Sequence, residues 1–95
     1  MRQKQISINN QTMTGLEIDL PAAPLVLVRA PKGFVMCGYL DRAVSEKFGQ
    51  AAAIVKGIKS VEELLDGRVI DVTRAAGSLG IKPGMTGREA LEKLI

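Results

Sequence analysis

The sequence predicts an α+β fold: a mixed, largely antiparallel sheet with an N-terminal hairpin, one βαβ crossover and about four short helices. Alternating polar and apolar residues at 4–9 and 14–20, on either side of Asn9-Asn10, read as two strands and a tight turn. Unbroken apolar runs at Leu25–Val28, Phe34–Cys37 and Ala51–Val55 read as strands covered on both faces. Helical spacing of apolar residues is confined to the chain after residue 40.

The elements follow in order. In the first hairpin Ile6 and Ile8 point one way and Gln5 and Ser7 the other, while Leu16, Ile18 and Leu20 oppose Glu17 and Asp19. The expected product is a hairpin with one apolar and one polar face. Pro21-Ala22-Ala23-Pro24 cannot donate to a ladder and forms a stiff connector. Pro31-Lys32-Gly33 turns the chain between the next two strands. Leu40, Val44 and Phe48 lie at i, i+4 and i+8 and predict a first helix with that stripe inward, ended by Gly49. The segment 34–56 is therefore a parallel strand-helix-strand crossover. Val61, Leu64 and Leu65 give a second helix, closed by Gly67. Residues 68–70 fit a brief strand, with Asp66 and Asp71 as flanking turn or cap residues. Val72, Ala75, Ala76 and Leu79 predict a third helix up to Gly80, and Leu91, Leu94 and Ile95 the inner face of a fourth. Ser60 with Glu63 and Thr86 with Glu89 both have the capping-box spacing. Gly77, inside the third helical pattern, implies either a close backbone approach or an early helix end.

With 95 residues the chain forms one domain, 1–95, in which 1–20 is the hairpin and 25–95 the α/β core. The apolar share of 46% and charged share of 24% are those of a globular protein rather than a disordered one. With no Trp and only Phe34, Phe48 and Tyr39 as aromatics, the core must be aliphatic. The hairpin's apolar residues Ile6, Ile8, Leu16, Ile18 and Leu20 outnumber what the short helices can cover. They are therefore the candidate surface of a homo-oligomer.

The net charge of +3 comes from basic residues scattered from Arg2 to Lys93. Lys56 and Lys59, a closely spaced pair, have no aromatic between them, which argues against nucleic acid as a partner. One cysteine forms no intramolecular disulfide and fits a reducing, cytoplasmic setting. The polar, alternating start does not resemble a signal peptide, and no apolar run reaches membrane-spanning length. Without histidine, Cys–His and Ser–His catalysis and imidazole zinc sites are excluded, and one Cys cannot hold a Cys-rich metal site. No metal or cofactor is expected.

The most chemical stretch is F-V-M-C-G-Y-L-D, residues 34–41. Cys37 stands where a buried strand ends, the place where crevices form in α/β sheets. It is the one candidate nucleophile or redox thiol, with Gly38, Tyr39 and Asp41 as candidate ligand contacts around it. The alternative is a small apolar plug, since free Cys is among the most buried residue types. Asp41 as an N-cap would occupy the amides that an anion needs. In G-I-K-P-G-M-T-G-R-E, residues 80–89, glycines, a lysine and a threonine precede a helix, but the P-loop order is absent and capping accounts for the residues. Arg88 is left as a candidate anion partner.

At F-V-M-C-G-Y-L-D and G-M-T-G-R-E-A-L the chain resembles the YunC-like proteins, the family called domain of unknown function 1805. The resemblance runs from the first hairpin to Ile95. It implies a small α/β domain whose N-terminal strands are a tetramerisation region, and it carries no catalytic residue with it. The expected function is that of a homo-oligomeric binding or interaction module, with a thiol-dependent enzyme or redox sensor using Cys37 as the alternative.

Overall fold

Six strands pair in chain order to make one sheet in the computed structural model, which describes Met1–Ile95. They are β1 (Arg2–Ile8), β2 (Gln11–Ile18), β3 (Leu25–Ala30), β4 (Gly33–Met36), β5 (Ala51–Val55) and β6 (Val69–Val72). The helices are α1 (Arg42–Lys47), α2 (Val61–Asp66), α3 (Arg74–Ser78) and α4 (Gly87–Glu92). Strands β1 to β4 are antiparallel, β4 and β5 are parallel across α1, and β6 returns antiparallel to β5. The α+β architecture expected from the sequence is the one found. Asn9 and Asn10 take positive φ of 51° and 67°, the paired left-handed conformation of a two-residue hairpin turn.

The sheet has unequal faces. On one, Val26, Val28, Val35, Ala53 and Val55 meet Val61, Leu64, Ala76, Leu91 and Leu94 in the main core. Helices α2, α3 and α4 supply this cover. On the other, only Met36, Ala52 and Ile54 form a small buried cluster, with Leu27, Phe34 and Leu40 packed beside it.

The register corrects the expected hairpin. Arg2 pairs with Glu17, Ile6 with Met13 and Gln3 with Leu16. Ile6, Ile8 and Met13 therefore belong to the main core, while Leu16 and Ile18 lie on the opposite face and join neither cluster. The two strands do not share one apolar face. Glu17, read from the sequence as outward, is buried on the core side.

Other expectations shift locally. Of the stripe expected on the first helix, Leu40 packs on the small cluster, but Val44 and Phe48 point outward, 50% and 70% exposed. Instead Ser45 is buried, and a small side chain lets a six-residue helix lie close to the alanines of β5. Val72 ends β6 rather than starting a helix. Thr73 fixes that boundary, because its hydroxyl accepts from the Ala76 amide at 3.3 Å and donates to the Gln50 carbonyl at 2.7 Å. A Cβ on Gly77 would meet nothing within 4 Å, and α3 ends at Ser78, so early termination explains it. The box at Thr86 and Glu89 is complete, whereas Glu63 reaches past Ser60 to accept the Lys59 amide.

Candidate functional site

Cys37 follows β4 directly, and its backbone N–H donates to the Val26 carbonyl at 3.0 Å, prolonging the β3–β4 ladder by one residue. That pairing turns the side chain toward the main core. Its sulfur accepts the Val26 amide at 3.3 Å, and the residue is 4% exposed. The thiol thus acts as a core side chain, and Cys37 also lines a cavity.

That cavity has a volume of about 410 Å³ and lies past the carboxyl ends of the parallel pair β4 and β5. Ala23 and Pro24, from the stiff connector after β2, make one wall. Cys37, Gly38 and Tyr39 make the second, and the loop Lys56–Lys59 after β5 makes the third. Each wall follows from local sequence. The prolines end β2, Gly38 ends β4, and Gly57 at φ 76° turns the chain out of β5. Lys56 lays its aliphatic stem beside Gly38, where an added Cβ would stand 3.1 Å from Lys56 Cγ.

The other candidate residues lie apart. Asp41 borders a neighbouring depression of about 340 Å³ that shares Gly38 and Lys56 with the first. Its carboxylate accepts the Ala43 amide at 2.8 Å and so caps α1. Beside it Arg42 pairs with Asp71 at 3.1 Å and Glu46 at 3.4 Å. Arg88 is exposed on α4 and lines neither cavity. The structure brings Cys37, Gly38 and Tyr39 together and leaves Asp41 and Arg88 outside. Of the expected interface residues, Ile8 is buried in the core, Ile6 packs on it, Leu16 and Ile18 are half-buried on the far face, and Leu20 is exposed beyond β2.

Sequence reasoning missed the site contribution of Lys56 and Lys59. Their spacing stood out, but the aromatic that joins them, Tyr39, comes from another element. It also missed the buried Glu17. One carboxylate oxygen receives Lys4 Nζ at 2.8 Å and the Val61 amide at 2.7 Å, and the other receives Arg2 Nε at 2.8 Å. The Lys4 ammonium above all, with Arg2 and the Val61 amide, holds the Glu17 carboxyl down at about 2. These bonds tie the end of the hairpin to the start of α2 and leave the carboxylate no free chemistry. No three His, Cys, Asp or Glu side chains converge as metal ligands would, and no helix is long and apolar enough to cross a membrane.

Residues 36–94 match the family described as domain of unknown function DUF1805. Over 94 residues the chain is 40% identical to the uncharacterized protein YunC of Bacillus subtilis (strain 168), covering 95% of this chain and 93% of that one. The crystal structure of a protein of unknown function, TA1206 from Thermoplasma acidophilum, superposes with a TM-score of 0.94 at 33% identity, covering 99% of this chain and 92% of that one.

Proposed function

From the premise that the chain belongs to the DUF1805 family, we propose that it is a self-associating binding module of the cytoplasm. Copies pair through the open half of the sheet, and each offers the cavity beside Cys37 to a small ligand. One observation carries this reading: Leu16 and Ile18, next to Leu25 and Leu27 in register, have no helix of their own chain over them. An apolar strip of this kind on a small domain marks an interaction surface.

A second copy is the occupant that fits. Along β2 and β3 this face carries Thr14, Leu16, Ile18, Leu27 and Arg29, with a single charge at its end, while Leu25 also packs against the main core and Leu27 against the small cluster of Met36, Ala52 and Ile54. Such a strip needs no oppositely charged partner and can meet itself about a two-fold axis. The lone, reduced-type cysteine supports the cytoplasmic setting. The cavity at the carboxyl edge of β4 and β5 supports the binding half, because ligands of α/β sheets collect there.

The test is sedimentation of the wild type beside the Leu16→Asp, Ile18→Asp double variant. Both positions lie outside the main core, so the variant should keep its far-ultraviolet circular dichroism and fall to the monomer mass. A wild type that is already monomeric at micromolar concentration, or a variant of unchanged size, defeats the self-association reading.

A further inference from the structure

We propose that the cavity between the Pro24 connector, Tyr39 and the Lys56–Lys59 loop is a site for a small organic anion with a planar apolar body. This deepens the binding half of the function proposed above and rests on it. Three features of the cavity converge on that chemistry.

The first is its charge. The lining includes Lys56 and Lys59 and no carboxylate. Neither lysine is in an ion pair, although Arg2, Lys4 and Arg42 all are. The acid that reaches this loop, Glu63, does so only to accept the Lys59 amide at 3.0 Å and does not line the cavity. Asp41, across Gly38 and Lys56, faces the neighbouring depression.

The second is the backbone. The N–H groups of Gly38, Tyr39, Lys56 and Gly57 donate to no protein acceptor. They belong to two exposed loops that flank one opening, so these donors are left to water or to a ligand that enters it. The third is the wall. Ala23, Pro24 and Ile58 give apolar surface, and the half-exposed Tyr39 ring offers a face for stacking. A volume of about 410 Å³ falls within the roughly 300–1,000 Å³ of small-molecule sites. Lysines beside apolar walls and an aromatic ring in one lining suit a ligand with an anionic head and a flat body. A carboxylate and a phosphate monoester both have the head this site requires.

The experiment is a ¹⁵N–¹H titration of the full chain with phenyl phosphate, benzoate, benzyl alcohol, benzylamine and inorganic phosphate. Phenyl phosphate or benzoate should move the Gly38, Tyr39, Lys56 and Gly57 resonances. Whichever of the two binds tighter identifies the head. Lys56→Gln with Lys59→Gln should weaken that binding by about tenfold or more, since each lysine lost removes a charge-assisted contact, while leaving thermal unfolding unchanged. Equal binding of benzyl alcohol, or insensitivity to the double variant, overturns the anion assignment and leaves a ligand-binding cavity. Equal binding of inorganic phosphate overturns the apolar-body half. No response from these resonances to any probe overturns the site and the binding half of the proposed function together, while sedimentation judges self-association independently.

Discussion

Replacing Glu17 by Gln removes one negative charge from a side chain that is 3% exposed and holds three donors. The amide keeps the shape, but its NH2 replaces one of the two acceptor oxygens and so faces either Arg2 or the pair Lys4 and Val61 N–H, donors all. With the folded carboxyl at about 2 against an ordinary 4.5, linkage sets a ceiling of about 3 kcal/mol on the charged network. Arg2 is half in solvent, and screening there brings the expected cost at pH 7 down to about 2 kcal/mol. The folded pKa lies below the unfolded one, so this stabilisation is complete above about pH 4.5 and disappears as pH falls toward 2. Glu89 is also lowered but apart from this network, so it cancels between the two proteins, whereas Asp19 and Glu62 share Arg2 and Lys4 with Glu17 and the difference reads the network as a whole. Urea unfolding, followed by circular dichroism at fixed protein concentration from pH 7 to pH 2, measures it. The gap between the two proteins should be about 2 kcal/mol at pH 7 and close at the acid end. A variant as stable as wild type at pH 7, or a gap independent of pH, refutes the assignment of Glu17 as a buried, charged tie.

Gly87→Ala should destabilise, because its Cβ would stand 2.1 Å from the Leu64 carbonyl oxygen. Over-packing against backbone costs about 1–3 kcal/mol, which for a domain this size lowers Tm by at least about 4 °C; an unchanged or higher melting temperature contradicts the α2–α4 packing. Cys37 should alkylate far more slowly in the native protein than in urea, since its sulfur lies on the core side and accepts the Val26 amide. Equal rates with iodoacetamide in the two conditions would restore the exposed, reactive thiol.

Turn and cap residues made the element order readable from sequence. Asn9-Asn10, Gly67, Gly80 and Thr86 each impose a local geometry that tertiary packing left alone. What was hidden is orientation. Once Asn9-Asn10 is a two-residue turn, Ile8 stands opposite Gln11, which places Met13, Gly15 and Glu17 on the face of Ile6 and Ile8. Alternation within each strand says which residues share a face, and only the turn says which faces of two strands coincide. The same limit hid the outward direction of Val44 and Phe48, because helical spacing identifies an apolar side without naming what covers it. Cys37, Gly38 and Tyr39 could be placed at a strand end from their order, but the lysines opposite belong to a loop that reaches them only through β4–β5 pairing.

Strand β2 reverses the usual assignment of polar residues to solvent and apolar residues to the core. Its inward positions include Gly15 and Glu17, and both meet the same residue of α2. A Cβ on Gly15 would come within 2.7 Å of Val61 Cγ2, and Glu17 accepts the Val61 amide at 2.7 Å. The start of α2 therefore lies too close to β2 for a bulky aliphatic side chain, and a glycine followed by a hydrogen-bonded carboxylate fits where Leu16 or Ile18 would not. The apolar residues of β2 are consequently directed to the far face, where no helix follows. In a lone chain that arrangement leaves Leu16 and Ile18 partly in water, which forgoes part of the stabilisation that full burial of two aliphatic side chains would bring. A second copy over the far face removes that cost and leaves the Glu17 tie undisturbed on the other side. Burial of Glu17 and partial exposure of Leu16 are thus one choice of register, and that choice leaves the far face of β2 open to the second copy proposed above.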